Sequence, residues 1–201
     1  MKRRFWVVAF LLLAALFVAF FFVEKNKNAP TTLTLADLKN LPTLKPLDII
    51  LREGVDLDSA VIAKISHSPW THAGVIIAIN PIEIIHASTS DTNNRVARVP
   101  LADFLKNANR IAIKRYVLDD ESQKKIADFL QAQIGKSFSF NKESPLYCTT
   151  LIEKSFAEAG DLKLHYQPVD VPIFGGDYLM PSEFYNDKKS TLIFEIAKNP
   201  R

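Results

Sequence analysis

The sequence contains one cysteine, Cys148, and the residues around it favour a reactive thiol. Ser144 can cap a helix, and Pro145 suits the first helical position. Leu151 and Ile152 follow at helical spacing. This pattern predicts that Cys148 lies in the first turn of a helix, where the positive end of the helix dipole stabilises a thiolate. The alternative is a buried structural thiol, because free cysteines are commonly buried.

A thiol nucleophile needs a base and a group that orients the base, and two of the four histidines are placed to supply them. His72 begins a predicted strand over 72–79, and His86 lies near the end of a returning strand over 82–87. A two-residue loop at Asn80-Pro81 turns the two side chains to opposite faces, whereas a longer loop or a bulge puts them on one face. We predict that they share a face, with His72 as the base and His86 as the orienting group.

The same three residues raise the possibility of a Cys-His-His zinc site. The sequence has none of the tight Cys-x-x-Cys or His-x-x-x-His spacings of structural zinc sites, so we expect no metal and no other cofactor. It also has no Gly-x-Ser-x-Gly motif for a serine nucleophile. Trp70, two residues before His72, belongs either to the core or to the wall of a substrate site.

The N-terminus predicts a membrane anchor over residues 1–23. Phe5 to Val23 is an uncharged apolar run that would extend about 28 Å as a helix, close to the roughly 30 Å of a hydrocarbon core. Lys2-Arg3-Arg4 favours a cytoplasmic N-terminus, and no small-residue cleavage site follows the run. We therefore expect a single-pass anchor in the inner membrane, or an uncleaved signal, with the folded domain in the periplasm.

The remaining chain predicts one domain of the α+β class. Residues 24–45 are assigned to a linker and a short helix, and residues 46–201 to the domain. Adjacent strands are followed by two well-marked helices, which favours a mainly antiparallel sheet packed on helices; the segment over 168–181 is predicted to be irregular. Three of the 25 basic residues precede the apolar run and the rest balance the 22 acidic residues, so nothing supports nucleic-acid binding.

Four stretches together resemble a known family. They are Leu47-Asp48-Ile49-Ile50, Ser68-Pro69-Trp70-Thr71-His72-Ala73-Gly74-Val75, Ile85-His86-Ala87 and Tyr147-Cys148-Thr149-Thr150-Leu151-Ile152. In this order they resemble the motifs of circularly permuted papain-like cysteine hydrolases of the YiiX/YaeF type, in the NlpC-type superfamily. The resemblance covers roughly residues 46–160 and implies a papain-like core with a partial barrel.

The resemblance also implies a chemistry. Cys148 would be the nucleophile, His72 the base and His86 the third polar member, cleaving or transferring at an amide or ester carbonyl through an acyl-thioester. The backbone N–H of Cys148, with Tyr147 as a further candidate, would bind the oxyanion. Together with the anchor, this predicts a membrane-tethered thiol hydrolase acting on a cell-wall peptide or a lipid-linked acyl group.

Two residues depart from the family pattern. Leu47 stands where the group often has glycine, and His86 stands where it commonly has an acid. The second departure keeps open a catalytically inactive relative that binds a peptide, glycan or lipid in the same groove. A scaffold that attaches a partner to the membrane, which needs no thiol, is a third hypothesis.

Overall fold

The computed structural model describes residues 32–89, 91–160, 162–170 and 175–198. The predicted anchor over 5–23 lies outside these ranges. Within them, no helix combines the length and the apolar character needed to cross a membrane.

An antiparallel sheet of six strands, in the order β4-β3-β2-β1-β5-β8, carries the fold. The remaining two strands, β6 and β7, pair only with each other. The strands are β1 (Ile49–Gly54), β2 (His72–Ile79), β3 (Ile82–Ser88), β4 (Arg95–Pro100), β5 (Ala108–Tyr116), β6 (Tyr166–Val169), β7 (Gly176–Leu179) and β8 (Ser190–Ala197). The predicted α+β class with a mainly antiparallel sheet is therefore confirmed. The segment over 168–181, predicted to be irregular, contains β7 and the end of β6, so that prediction is wrong for these strands.

Helices cover both faces of this sheet, because the side chains of its central strands alternate between two buried clusters. The helices are α1 (Leu57–Ser66), α2 (Leu101–Leu105), α3 (Asp120–Gln133), α4 (Cys148–Ala157) and α5 (Pro181–Asn186). Leu130 of α3 and Ile152 of α4 pack in the cluster on one face, and Phe104 of α2 packs in the cluster on the other. Leu33 and Leu38 are buried in that second cluster, so the packed body begins upstream of the predicted start at residue 46.

The β2–β3 hairpin contains a bulge that decides which way its histidines face. Ile79 pairs with Ile82 across a two-residue turn, and the register shifts between Ile76 and Ala78. The one extra residue reverses the parity of the pairing, so His72 and His86 project from the same face. The prediction of a shared face is confirmed.

Helix α4 begins at Cys148, three residues later than the pattern of Ser144 and Pro145 predicted. Leu146 forms an isolated antiparallel bridge with Ser139, and Tyr147 has an extended backbone (φ −125°, ψ 178°) as the N-cap residue. The chain before the cysteine is thus held extended by pairing, and Cys148 is the first helical residue.

Leu47 occupies a left-handed backbone conformation, with φ 69°. Glycine adopts this conformation without a steric penalty, which gives a physical reason for a glycine before the aspartate in the family pattern. In this chain the leucine side chain is 3% exposed and packs in the core of the first face. Burial of the side chain offsets the unfavourable backbone.

Candidate active site

His72 and His86 form a directly hydrogen-bonded pair. Nε2 of His72 lies 2.7 Å from Nδ1 of His86, and the two rings meet nearly edge to face at 78°. The ring of Phe104 packs against both imidazoles, with centroids 5.7 Å and 5.4 Å away. Because Nε2 of His72 is engaged by His86, Nδ1 is the His72 nitrogen that remains for a thiol proton.

A buried cation lies beside this pair. Arg52 of β1 is the register partner of His72 and is 2% exposed. Its guanidinium forms an ion pair with Asp91 and donates to the carbonyl oxygen of Phe104 at 3.0 Å. Asn107 donates to the other carboxylate oxygen of Asp91 at 2.8 Å. These contacts pair the buried cation with a half-buried carboxylate, as a buried charge requires.

The sequence analysis did not single out Arg52 or Asp91. The only local signal for Arg52 is its position, as a charged residue directly after the buried apolar run Ile49–Leu51. Asp91 lies in a polar loop that gives no signal of its own. The fold brings them together from positions 39 residues apart.

Burial keeps both histidines neutral. Desolvation and the charge of Arg52 lower the pKa of His86 to about 3, although Asp91 opposes the shift. Desolvation, then Arg52 and His86, lower the pKa of His72 well below its usual value. Neither imidazole is protonated near pH 7 in the free protein.

Cys148 is a buried, neutral thiol that lines a groove. Desolvation raises its pKa to about 11, although the backbone N–H groups of Ala73 and Thr149 partly oppose the shift. The thiolate expected from the start of a helix is therefore not found. The helix dipole contributes only about 0.3–1 kcal/mol at an exposed site, and burial outweighs it here.

The thiol and the imidazole of His72 lie close to the start of β2. The sulfur accepts a hydrogen bond from Ala73, the residue after His72, and both Cys148 and His72 line the same groove. Within the described residues, the His72 ring is bonded to His86 and the thiol to backbone amides, with no hydrogen bond joining the two. The fold thus gathers the predicted residues into one region, and the His72–His86 contact is the one that it makes directly.

Tyr147 and Trp70, the other predicted site residues, are placed differently. The Tyr147 hydroxyl lines the groove and accepts a hydrogen bond from the N–H of Leu179 at 3.0 Å. Burial raises its pKa to about 12, so the hydroxyl keeps its proton and can donate it. Trp70 is 3% exposed and stacks on Tyr185 with centroids 4.7 Å apart, which matches the packing alternative for this residue.

The groove at Cys148 has a volume of about 510 Å³ and a lining that is mostly apolar. Its apolar side chains come from α1, the stretch before α4, β6, β7 and the start of α5. They include Val61, Ile62, Ile65, Phe138, Phe140, Val169, Leu179 and Met180. This size lies within the range of small-molecule sites. No sequence pattern marked the groove, because its walls come from elements far apart in the chain.

His72, His86 and Asp91 offer three potential metal-ligand atoms within 4.8 Å of one another. Cys148 is not one of the three, so the grouping differs from the zinc set considered from the sequence. Two nitrogens on one tetrahedral zinc ion would stand about 3.3 Å apart, given Zn–N bonds of about 2.0–2.1 Å. The observed 2.7 Å contact and the cation of Arg52 on Asp91 fit a hydrogen-bonded network rather than a metal centre.

Comparisons with known proteins bear on the family and the fold. The model of a family described as permuted papain-like amidase enzymes, YaeF/YiiX (the C92 family), matches residues 46–171. A solved structure described as metalloprotein YiiX from Escherichia coli O157:H7 superposes with a TM-score of 0.64 at 17% identity, covering 76% of this chain and 98% of that one. At this identity the likeness concerns the fold. No curated protein matches the sequence.

Proposed function

This chain belongs to the permuted papain-like amidase family of YaeF and YiiX, and on that premise we propose that it is a thiol hydrolase that cleaves an amide or ester bond of a lipid-linked acyl substrate. One observation carries the proposal. The lone thiol at the first residue of a helix and the imidazole of His72, which is hydrogen-bonded to the buried His86, line the same apolar groove.

The first half of the proposed reaction acylates Cys148. Nδ1 of His72 takes the thiol proton as the sulfur attacks the carbonyl carbon and a C–S bond forms. The backbone N–H of Cys148 and the hydroxyl of Tyr147 stabilise the oxyanion. The C–N or C–O bond then breaks, and the imidazolium gives its proton to the leaving amine or alcohol. Because the resting thiol and imidazole are both neutral, the proton moves during the attack and not before it.

The second half releases the acyl group. Water attacks the thioester carbonyl while His72 accepts a proton from the water. The tetrahedral intermediate that forms then collapses, and its C–S bond breaks. The products are a carboxylic acid and the restored thiol. An alcohol or amine in place of water would give acyl transfer by the same steps.

The lining of the groove favours an acyl chain over a cell-wall peptide. A cell-wall peptide with several carboxylates needs cationic partners. The charged residues of the lining are Arg52, which is buried and already paired with Asp91, and the carboxylates Asp56 and Asp58. An acyl chain needs only apolar contact area, which Ile62, Phe138 and Leu179 provide. The predicted anchor over 5–23 would hold such a site beside the bilayer, on its periplasmic side.

The test uses the full chain in detergent micelles. Acyl-amide and acyl-ester lipids of increasing chain length, and a cell-wall tetrapeptide, are each incubated with the protein, and the acid-quenched protein is weighed by intact mass spectrometry. We expect an acyl adduct on Cys148 with the lipids, free fatty acid as the product, and neither with Cys148→Ala. Turnover of the peptide alone would reassign the substrate, and full activity of Cys148→Ala would end the thiol mechanism.

A substitution in the groove wall tests the acyl chain separately. Val61 lines the groove and is 48% exposed, so Val61→Asp adds a charge with little loss of core packing. We expect KM to rise for long acyl chains and to stay unchanged for acetyl substrates. Val117→Asp is the matched control, because Val117 is 96% exposed and lies outside this groove.

One observation favours a second candidate, an inactive relative that binds acyl lipids without cleaving them. Burial raises the pKa of Cys148, which leaves little thiolate at neutral pH. This candidate predicts saturable binding of an acyl-amide lipid, measured by calorimetry, with an unmodified Cys148 and no fatty acid after long incubation.

A further inference from the structure

Nε2 of His86 is a buried polar atom that the proposed chemistry does not yet use. The His86 side chain has no measurable exposure, and this nitrogen has no hydrogen-bond partner among the described residues. An unsatisfied buried polar atom is destabilising, so a persistent one calls for a reason.

The carboxylate of Asp91 is the nearby acceptor. One of its oxygens lies within 4.8 Å of ring nitrogens of both His72 and His86, and its charge opposes the lowering of the His86 pKa. The carboxylate is thus close to the His86 ring, and a direct hydrogen bond or one bridging water are the two ways in which it could be joined to Nε2–H.

Asp91 is held firmly in this position. Arg52 pairs with one carboxylate oxygen and Asn107 donates to the other. A carboxylate oxygen can accept more than one hydrogen bond. The backbone N–H of Asp91 donates to the hydroxyl of Ser88 at 3.2 Å. Since Ser88 lies two residues after His86 on β3, the loop that carries Asp91 is tied to the strand that carries His86.

The tautomer of His86 decides whether His72 can act as a base. With the proton on Nε2 of His86, its Nδ1 accepts from Nε2–H of His72, and Nδ1 of His72 stays unprotonated, ready for the thiol proton. With the proton on Nδ1 of His86, that N–H donates to Nε2 of His72, so the proton of the neutral His72 ring sits on Nδ1. His72 then has no lone pair to offer the thiol.

We infer that Asp91 is a positioning residue, whose carboxylate accepts a hydrogen bond from Nε2–H of His86, directly or through one water, and so holds both imidazoles in the tautomers that make His72 a base. The inference rests on the proposed function only for its consequence in catalysis. The tautomers themselves are a property of the free chain.

Arg52 offers the opposite arrangement. Its Nε–H is also buried without a partner among the described residues. If that group donated to an unprotonated Nε2 of His86, the other tautomer would be selected. The two arrangements therefore give opposite proton positions on the same ring.

Long-range ¹H–¹⁵N correlation spectra of the histidine-labelled full chain distinguish them, because protonated and unprotonated ring nitrogens resonate far apart. We expect His72 and His86 both to be neutral and protonated on Nε2. A His86 protonated on Nδ1 would overturn the inference even in an active enzyme. The expected tautomers in a chain that turns over no substrate would leave the inference standing and count against the proposed function.

Asp91→Asn then tests the role. We expect a mixture of His86 tautomers and a kcat lower by about 10²-fold, the scale of one general base, with little change in KM. Asp48→Asn is the matched control: Asp48 is a buried aspartate paired with Arg115 at 2.6 Å, distant in sequence from the histidines. It should lower stability but keep the tautomers and kcat. Wild-type tautomers in a folded Asp91→Asn, or equal kcat losses in both variants, would reject the role, and Asp91→Glu should restore part of kcat.

Discussion

Gly74 of β2 provides the space in which the side chain of His86 packs on β3. A Cβ added to Gly74 would stand 3.2 Å from Cβ of His86 and 2.6 Å from Cγ2 of Ile84. Contacts below 3.0 Å essentially never occur between real Cβ atoms and their neighbours, so a side chain at this position would force Ile84 to move. The absence of a side chain at Gly74 is therefore part of how the histidine pair is packed.

Gly74→Ala should destabilise the fold and disturb the histidine pair. We expect a loss of about 1–3 kcal/mol in the free energy of unfolding, measured in urea, because overpacking a buried position displaces its neighbours. The double variant with Ile84→Ala removes the clashing methyl group. Its loss should be smaller than the sum of the two single losses, and strict additivity would show that the clash is relieved elsewhere.

Stability should fall as the pH is lowered from about 6.5. An unfolded histidine binds a proton near pH 6.5, whereas folded His86 has a pKa of about 3. Between these values the unfolded chain binds more protons than the folded chain. The contribution of His86 to the free energy of unfolding is therefore fully present above pH 6.5 and is lost toward pH 3, at up to about 1.4 kcal/mol per pH unit.

Urea denaturation at several pH values measures this slope. His86→Gln should reduce the slope between pH 6.5 and 4 and leave the part that comes from His72, whose pKa is also lowered by burial. His165→Gln removes an exposed imidazole and serves as the control, with the wild-type slope expected. An unchanged slope in His86→Gln would mean that His86 is not held neutral by burial.

The free thiol should react slowly at neutral pH. Burial raises the pKa of Cys148 to about 11, whereas an exposed cysteine titrates near 8.5. We expect the rate of iodoacetamide labelling at pH 7 to be about 10²-fold lower in the folded chain than in urea, and to rise steeply up to pH 10. His72→Gln should leave this profile in place, because burial and not an ion pair sets it. A plateau below pH 7 that disappears in His72→Gln would instead reveal a thiolate–imidazolium pair.

Tyr147→Phe should lower both stability and kcat. The change leaves the buried N–H of Leu179 without its acceptor, which costs about 1–3 kcal/mol, and it removes the proposed oxyanion donor, with a kcat loss of about tenfold or more. Tyr116→Phe is the control, because its hydroxyl donates to Asp187 at 2.7 Å outside the groove. Equal kcat in the two variants would exclude Tyr147 from the oxyanion site.

Patterns local in the chain were enough to predict most elements of the fold. The alternation from Arg110 to Val117, the apolar runs of β2 and β3 and the helical spacing after Cys148 each reflect a repeat of two or about 3.6 residues. These repeats follow from backbone geometry, so they can be recognised in the sequence without knowing which residues pack against each element. The family motifs are similarly short, and the family that they indicated is confirmed.

The site depended on features that no local pattern records. The bulge after Ile76 turns His72 and His86 to one face, yet the sequence of the hairpin permits either register. The pairing of Leu146 delays the start of α4, and burial, not the helix dipole, sets the state of the Cys148 thiol.

By itself, the sequence determined most of the elements, the antiparallel α+β class and the three residues around which the chemistry is proposed. Only the tertiary structure decided that Arg52 and Asp91 stand behind the histidines and that an apolar groove leads to the thiol. The physical reason is that periodicity and capping act over a few neighbouring residues, whereas register, desolvation and the neutralisation of buried charges depend on groups that meet only when the chain has folded.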